Sequence, residues 1–414
     1  MISYKHALSI TNQMYFCAAP VRLDSYDTCQ LGCTYCFSRD RSRYQANPGI
    51  HAASAKALEQ RLARVEGGVV ASALDELLLR RVPIQLGGLQ DPFTDIERER
   101  RVTLSLLKVL QKNGYPTIIS TKGSLFLNDA YMDILKEMNV VFRISAAGIA
   151  DEHRKLFEKK SGSFTETIKK IETLKAAGIP TLLRIQPVIP GFEEAALQMT
   201  TQAAAAGVSQ VTFEYLKIVG EQFKEELGEL KSQLGFDLFA VMQDMGLKRI
   251  GPDWALTVPA KLAFVRRARA HCKALGIKFG AGDTEFIPMS DGDGCCGSSS
   301  FFLHAASQFG SNYVGVIKSA IRRDQDKLSF SDFAKTWTPQ FSVGNYFDWR
   351  SRVGADERQG RTDWQALMAR RWNGKAGPYS PGLFYGVERL DAKDKDGFHL
   401  YSLEHLRQEI SSPL

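Results

Sequence analysis

The sequence predicts an α/β protein built around a parallel β-sheet. Short apolar stretches alternate with amphipathic helical stretches between about residues 83 and 218. Glycines such as Gly114 and Gly178 end helical stretches, which is typical of helix C-termini. Repeated strand–helix units imply parallel strands with right-handed crossovers. About six units are present, and the pattern allows either a partial (β/α)6 barrel or an open, doubly wound sheet.

The predicted elements follow in order along the chain. A first strand is expected over about 18–26, before a largely helical stretch at about 51–80. Further strands are expected at 83–88, 117–122, 140–146, 181–189 and 211–218, with helices at 95–114, 127–138, 164–178 and 193–207. A mainly helical C-terminal extension follows, with a strand-like stretch at 276–283 and helices near 312–323 and 361–372. In either fold, ligands bind at the carboxyl ends of the strands.

Composition indicates an ordinary globular protein. Of 414 residues, 44% are hydrophobic and 24% charged, which argues against long disordered segments. No apolar run is long enough for a transmembrane helix, and the first residues do not resemble a signal peptide, so we expect a cytoplasmic protein. The net charge of +7 permits a polyanionic partner without requiring one.

The seven cysteines do not resemble a disulfide framework, because their number is odd and their spacing uneven. Three of them, Cys29, Cys33 and Cys36, lie within eight residues directly after the first predicted strand. Thiolates are the ligands of iron–sulfur clusters. Three cysteines leave the fourth iron of a cubane open to a small chelating ligand. The alternative is a structural zinc site, which usually needs a second ligand pair that this sequence lacks.

The spacing C-x3-C-x-aromatic-C, with Tyr35 as the aromatic residue, resembles the signature of the radical S-adenosylmethionine (SAM) superfamily. The resemblance implies a partial barrel, a [4Fe–4S] cluster on Cys29, Cys33 and Cys36, and SAM chelating the fourth iron. It also implies reductive cleavage of SAM to a 5′-deoxyadenosyl radical, which abstracts a substrate hydrogen. An external electron donor of the flavodoxin or ferredoxin type would supply the electron.

The same resemblance assigns SAM contacts to polar residues at successive strand ends. The segment GGLQDP looks like a variant of the family's GGE segment, with Leu89 in place of the acidic residue. Arg143 lies on the fourth strand of this series. The predicted SAM-binding residues are Tyr35, Gly87, Gly88, Gln90, Asp91, Ser120, Thr121, Ser145, Arg184, Gln186 and Ile189.

Several segments resemble the spore photoproduct lyase-like branch of the superfamily. They are YDTCQLGCTYCFSR, DPFTDIE, ISTKGSLFLND, VVFRISAAGI and RIQPVIPG, between about residues 22 and 218. The repair lyase of that branch has a further cysteine soon after the cluster motif, but here no cysteine lies between Cys36 and Cys272. The resemblance therefore supports the fold of this branch for the present chain more strongly than it supports the substrate of the repair lyase. The predicted organisation is an N-terminal segment (1–20), a radical SAM core barrel (21–220) and a C-terminal extension (221–414) that forms a substrate or lid region.

A second unusual stretch is the glycine-rich loop SDGDGCCGSSS, which contains Cys295 and Cys296. A thiol is a good hydrogen-atom donor to a carbon radical, so either cysteine is a candidate catalytic donor. The alternatives are a ligand to a second cluster, with Cys272 or Cys17, and a surface loop without a catalytic role. Asp283 and Glu285 would hold a polar substrate, or else cap or form ion pairs.

Basic and aromatic residues allow a nucleic-acid surface but do not specify one. Nucleic-acid binding needs cations on one face with aromatic rings for stacking. Arginines cluster at 98–101, 266–269 and 322–323, and all five tryptophans (Trp254, Trp337, Trp349, Trp364 and Trp372) lie in the C-terminal half.

Three function classes follow. The leading one is a radical SAM enzyme, of a lyase or transferase type, acting on a nucleic acid or nucleotide-like substrate. The second is a radical SAM enzyme that modifies a peptide or small metabolite. The third is a non-catalytic iron–sulfur or zinc protein.

Overall fold

The computed structural model describes residues 2–4, 6–38, 49–251, 253–347, 352–374 and 380–412. The strands are β1 (Ile2–Ser3), β2 (Leu8–Ile10), β3 (Val21–Leu23), β4 (His51–Ala52), β5 (Ile84–Leu86), β6 (Thr117–Thr121), β7 (Val140–Gly148), β8 (Thr181–Val188), β9 (Gln210–Tyr215), β10 (Leu247–Ile250), β11 (Asp253–Leu256), β12 (Lys278–Ala281), β13 (Lys327–Leu328), β14 (Glu388–Lys393) and β15 (His399–Ser402).

The helices surround these strands in chain order. They are α1 (Ala55–Glu66), α2 (Ala73–Leu79), α3 (Asp95–Arg100), α4 (Val102–Lys112), α5 (Asp129–Lys136), α6 (Asp151–Phe157), α7 (Phe164–Ala176), α8 (Glu193–Ala206), α9 (Gly220–Glu229), α10 (Lys231–Leu234), α11 (Leu238–Gly246), α12 (Val258–Ala274), α13 (Ser298–Phe301), α14 (Tyr313–Arg322), α15 (Ser331–Ala334), α16 (Ala355–Arg358), α17 (Asp363–Trp372) and α18 (Glu404–Ser411). Short 3-10 helices cover Asn12–Tyr15, Leu125–Leu127, Thr284–Met289, Gly344–Tyr346 and Pro381–Leu383.

The central sheet has the strand order β12-β9-β8-β7-β6-β5-β3-β2. All neighbouring pairs are parallel except β2 and β3, which are antiparallel. The predicted α/β class is therefore confirmed, and the sheet is that of a partial barrel with two additional edge strands. Both edge strands lie outside the six predicted strand–helix units.

The helix predicted over 95–114 is two helices, α3 and α4. Arg101 separates them with a left-handed backbone (φ 51°). At this junction the carboxylate of Glu97 accepts hydrogen bonds from the backbone N–H groups of Thr103 and Leu104, both at 2.9 Å, and from the hydroxyl of Tyr131 at 2.8 Å. These bonds cap the exposed N–H groups at the start of α4, which explains why the helix restarts there.

The C-terminal extension is more mixed than the helical pattern predicts. Its strand β12 pairs with β9 in the central sheet, β10 and β11 form a hairpin, and β13, β15 and β14 form an antiparallel sheet. Within the described residues, no helix combines the length and apolarity needed to cross a membrane. The division into three segments stays a prediction.

Alternation along the strands gives the sheet two different faces. Outward residues such as Ile119, Phe142 and Ile185 join the main apolar core under the helices. On the other face, Ala19, Ile118, Val141 and Leu182 form a small separate apolar cluster with Leu303. This cluster closes one end of the barrel interior, and polar residues occupy the same face further along each strand.

Candidate active site

A cavity of about 890 Å³ occupies the barrel interior and its mouth. Fifteen of the sixteen predicted site residues line it: Tyr35, Gly87, Gly88, Gln90, Asp91, Ser120, Thr121, Ser145, Arg184, Gln186, Cys29, Cys33, Cys36, Cys295 and Cys296. Ile189 is the exception, because its side chain is fully buried in the main apolar core and does not line the cavity. The volume lies in the range of small-molecule and cofactor sites.

The loop with the first three cysteines follows β3 and is fixed to the residues after β7. The backbone N–H of Thr34 donates to the carbonyl of Phe157 at 3.0 Å, and Cys33 forms an isolated β-bridge with Glu158. Within the loop, the N–H of Cys36 donates to the carbonyl of Cys33 at 3.2 Å. Gly32 has φ 65°, a conformation that favours glycine, so it permits the turn before Cys33.

Burial raises the pKa of the Cys29 thiol to about 11 and that of Cys33 to about 12. Nearby negative charge raises both pKa values further: at Cys29 it comes from Asp91 and Cys36, and at Cys33 from Glu158 and the other two thiols. Cluster binding must therefore displace protons from these thiols, as is usual for metal ligation. In the described chain, no group of potential ligands is spaced to hold a single metal ion.

Glu158 organises the side of the site next to Cys33. It is 1% exposed, and its carboxylate accepts from the backbone N–H of Ala147 at 3.1 Å and from the hydroxyl of Tyr35. It also pairs with Lys122 at 2.7 Å and Arg154 at 3.3 Å. These cations hold the pKa of Glu158 below its usual value against the effect of burial. Tyr35 is thereby oriented beside the cysteine loop.

Gly87 and Gly88 follow β5, where the chain passes close to its neighbours. Gly87 has φ 83°, and a Cβ there would lie 2.5 Å from the carbonyl oxygen of Ser120. A Cβ on Gly88 would lie 2.7 Å from the Arg22 side chain. The backbone here fits only glycine without rearrangement, which agrees with a loop built for close approach to a ligand.

Gln90 and Asp91 have different environments. Asp91 accepts hydrogen bonds from the Thr121 hydroxyl at 2.8 Å and from the Lys122 and Phe93 backbone N–H groups at 2.6 and 2.9 Å. Its carboxylate therefore joins the ends of β5 and β6. The side-chain oxygen of Gln90 is buried and meets no donor among the described residues. Of the two, Gln90 has the acceptor that is free for an ammonium group.

Polar side chains line the middle of the barrel. Arg143 donates to the Ser120 hydroxyl at 2.7 Å and to the Gln85 side-chain oxygen at 3.1 Å. Burial and the nearby Arg184 cation lower the pKa of Arg143. No ion pair with an acidic side chain is formed by Arg143 in the described part of the chain.

Glu214 at the end of β9 is the acidic centre of the opposite wall. Arg184 and Lys217 donate to it at 2.9 and 2.7 Å, and the Gln186 amide donates at 2.6 Å. The two cations hold its pKa below the usual value despite burial.

The second cysteine loop is fastened inside the barrel. The carbonyl oxygen of Cys295 accepts from the Gln210 amide and the Thr212 hydroxyl, both at 2.8 Å. Both donors lie on β9, and a Cβ on Gly280 would lie 2.1 Å from that carbonyl oxygen. The loop is therefore part of the cavity wall, next to the small apolar cluster that closes the barrel.

Cys17 reaches the same part of the cavity from the N-terminal segment. Its sulfur lies 3.7 Å from the Gln85 amide nitrogen, and burial together with negative charge on Cys296 raises its pKa to about 11. A hydrogen bond from Cys295 and the nearby Arg143 cation lower the pKa of Cys296. Cys272 does not line the cavity.

Asp283 and Glu285 do not line the cavity. Asp283 accepts from Lys261 at 2.9 Å and from the Tyr215 N–H at 2.9 Å, and Glu285 also pairs with Lys261. Of the two sequence interpretations, the ion-pair one fits the geometry.

Most of the clustered arginines have structural partners. Arg266 makes two hydrogen bonds to Glu409, Arg269 donates to the carbonyls of Glu409 and Ile410, and Arg322 pairs with Asp293. Trp364 and Trp372 are fully buried, whereas Trp254 lines the cavity. Trp349 lies outside the described residues. The arginine clusters at 266–269 and 322–323 therefore do not form a free basic face with stacking tryptophans.

Sequence reasoning missed Lys122, Glu158, Glu214 and Lys217. Lys122 and Lys217 follow strand ends, and Glu214 lies near the end of strand β9. Their position at the carboxyl ends of strands was the one sequence signal that could have identified them as site residues. Glu158 follows a helix far from the cysteine motif, and only the fold brings it to Tyr35.

Comparison with known proteins supports this site. Residues 24–204 match the family model described as Radical SAM superfamily. This part of the chain holds the cysteine loop and the predicted SAM contacts up to β8. This match confirms the resemblance to the radical SAM superfamily over residues 24–204 of the 414 in the chain.

Solved structures are similar only at low identity. A spore photoproduct lyase complexed with dinucleoside spore photoproduct is 15% identical, with a TM-score of 0.48 over 67% of this chain and 79% of that chain. Streptococcus suis SuiB bound to S-adenosylmethionine is 13% identical, with a TM-score of 0.36 over 51% of this chain. That match spans about half (48%) of the SuiB chain. No curated protein matches the sequence.

The match to the radical SAM family over residues 24–204 implies a [4Fe–4S] cluster and SAM, and the residues present fit both. Three thiols from one short loop face the cavity and supply the soft donors that a cluster needs. Beside them, the unpaired buried oxygen of Gln90 and the glycine backbone of residues 87 and 88 suit a ligand with an amino group.

Proposed function

We propose that the protein uses the 5′-deoxyadenosyl radical to abstract hydrogen from a nucleic-acid or nucleotide-like substrate, as a lyase or transferase in repair or modification. The cavity, which brings both cysteine loops together, carries this proposal. When bound, the cluster and SAM supply the radical. The sequence resemblance to the spore photoproduct lyase-like branch supports a nucleotide-type substrate over a peptide or small metabolite, which is the second candidate.

The chain's own residues have separate roles in this proposal. Cys29, Cys33 and Cys36 hold the cluster, Gln90 accepts from the SAM amino group, and Tyr35 is held beside the cluster loop by Glu158. Cys295 or Cys296 donates a hydrogen atom to the product radical, since the loop is fixed in the cavity wall. The thiyl radical that remains takes one electron from the external donor and one proton, which restores the thiol. The external donor is of the flavodoxin or ferredoxin type, and a reducing cytoplasm suits seven free thiols.

The test of the radical generator is formation of 5′-deoxyadenosine. Anaerobically reconstituted protein is reduced with dithionite in the presence of SAM, and the product is quantified by chromatography. We expect product from the wild type and from Cys272→Ala, and none from the triple variant C29A/C33A/C36A, which also loses its iron. Cys272→Ala is the matched control, because this buried cysteine lies outside the cavity. Equal product from the triple variant would overturn the assignment of the ligands.

The substrate class is tested separately. Addition of single-stranded DNA, RNA oligonucleotides or nucleoside phosphates should increase 5′-deoxyadenosine formation over the uncoupled level, whereas peptides should not. Stimulation by peptides alone would favour the second candidate. For the hydrogen donor, Cys295→Ala and Cys296→Ala should retain SAM cleavage, and the double variant C295A/C296A should lose substrate conversion. Unchanged conversion in the double variant would exclude the donor role.

A further inference from the structure

The barrel interior contains more basic than acidic side chains. Arg143, Arg184 and Lys217 line the cavity, and Glu214 is the carboxylate that both Arg184 and Lys217 contact. Arg143 donates only to the neutral oxygens of Ser120 and Gln85 within the described structure. A thiolate at Cys296 would neutralise one cation, and another would still lack an acidic partner.

Burial makes this excess of positive charge energetically unfavourable. Arg143 is 5% exposed, so its guanidinium has lost most of its water. The Nε atom of Arg184 is buried and has no hydrogen-bond partner among the described residues. An unpaired buried cation is unfavourable, and a planar guanidinium is suited to binding a carboxylate or phosphate. An anionic ligand would relieve both defects.

The depth of these arginines limits the shape of that ligand. Arg143 lies two residues before Ser145 on β7, and the apolar cluster with Val141 and Leu182 closes the barrel just beneath it. A group that reaches Arg143 must therefore end there. A carboxylate or a terminal phosphate meets this condition, whereas a phosphodiester within a polymer continues on both sides.

We propose that Arg143 binds an anionic end group of the substrate, a carboxylate or terminal phosphate, beside Cys295 and Cys296. This inference rests on the proposed function, because it names the class of substrate that enters the same cavity. It places the group next to the candidate hydrogen donors and favours a nucleotide over an internal position in a nucleic acid.

Binding of simple anions tests the site without turnover. Equilibrium dialysis of radiolabelled inorganic phosphate, and separately of acetate, is measured on reconstituted protein saturated with SAM. We expect one saturable site that is at least tenfold weaker in Arg143→Met and largely kept in Arg143→Lys. Lys318→Met is the matched control, since it removes a partly buried lysine outside the cavity and should bind as the wild type does. The ratio of phosphate to acetate affinity distinguishes the two chemistries.

A second arm separates the substrate's anion from the carboxylate of SAM. Binding of SAM and of decarboxylated SAM is compared in the wild type and Arg143→Met. If Arg143→Met weakens SAM more than decarboxylated SAM, the SAM carboxylate is the ligand and the proposal is wrong. It is also wrong if phosphate and acetate fail to bind the wild type, or bind Arg143→Met equally well. The binding experiments require no SAM cleavage. A failure to form 5′-deoxyadenosine would therefore contradict the proposed function and not the anion site. If Arg143→Met does not fold, Arg143→Gln is measured in its place, with the same tenfold loss expected.

Discussion

Gly87 provides a test of the geometry at the end of β5, because alanine at this position would destabilise the fold through two separate effects. Its φ of 83° disfavours any residue with a Cβ, at a cost of about 1–2 kcal/mol. The added Cβ would also lie 2.5 Å from the carbonyl oxygen of Ser120 and 2.8 Å from Pro92. Overpacking against such fixed neighbours costs about 1–3 kcal/mol. We therefore expect Gly87→Ala to lower the free energy of unfolding by about 2–5 kcal/mol.

Gly178→Ala is the control that separates the two effects. Gly178 has a similar φ of 72°, but a Cβ there would meet nothing within 4 Å, so only the backbone term of about 1–2 kcal/mol applies. Urea unfolding of the metal-free proteins compares the two variants, and equilibrium dialysis of SAM on reconstituted protein reports the site. SAM affinity should fall in Gly87→Ala alone. Equal destabilisation of the two variants, with SAM affinity unchanged, would refute the close approach at Gly87.

Three further predictions concern charge and thiol chemistry. Glu158→Gln should lower the free energy of unfolding by about 3–5 kcal/mol at pH 7, because it leaves the Lys122 and Arg154 charges unpaired in the interior. The pKa of Glu158 is lowered in the folded protein, so its contribution to the free energy of unfolding is complete above its unfolded pKa of about 4.3 and is lost as the pH falls below that value. Urea unfolding curves of the wild type and Glu158→Gln should therefore converge at low pH. A difference in unfolding free energy that stays constant with pH would contradict this. Burial lowers the pKa of Lys318 to about 8, below the unfolded value of about 10.4. Raising the pH from about 8 to about 10.4 should therefore remove up to about 3 kcal/mol of destabilisation from the wild type relative to Lys318→Met. Thermal unfolding across this pH range measures the effect, and parallel stability curves for the two proteins would exclude it. Iodoacetamide at pH 7 should modify Cys296 faster than Cys17 in metal-free protein, because the pKa of Cys296 is lowered and that of Cys17 raised to about 11; peptide mass spectrometry gives the order, and faster reaction of Cys17 would contradict it.

The sequence was most informative where short-range rules apply. Alternating apolar stretches located the six parallel strands, since strand–helix units have a local signature. The strand ends then named Ser120, Ser145, Arg184 and Gln186 as cavity residues, because parallel strands present their carboxyl ends on one side. The spacing of Cys29, Cys33 and Cys36 required no tertiary information. In each case, the residues that act together are close in sequence or occupy equivalent positions in a repeat.

Prediction failed where the arrangement depends on distant segments. Strand β12 joins β9 only after some 60 intervening residues have folded elsewhere, and no local pattern marks its partner. Glu158 lies after α6, yet it receives the hydroxyl of Tyr35 across 123 positions. The side chain of Ile189 follows β8 as predicted but packs into the core, because alternation directs it away from the cavity. Each of these outcomes depends on tertiary packing.

The two cysteine loops show how the fold can decide between interpretations that the sequence leaves open. As sequence, Cys295 and Cys296 fit a surface loop as well as a catalytic one. The fold places them at the closed end of the barrel, where Gln210 and Thr212 fix the loop backbone and Arg143 lies close by. The cluster loop lines the same cavity, held to Glu158 after α6. In the proposed function, a substrate anchored at the closed end would extend towards the cluster loop, so the proposed anion site and the candidate hydrogen donors would together determine which part of the substrate reacts.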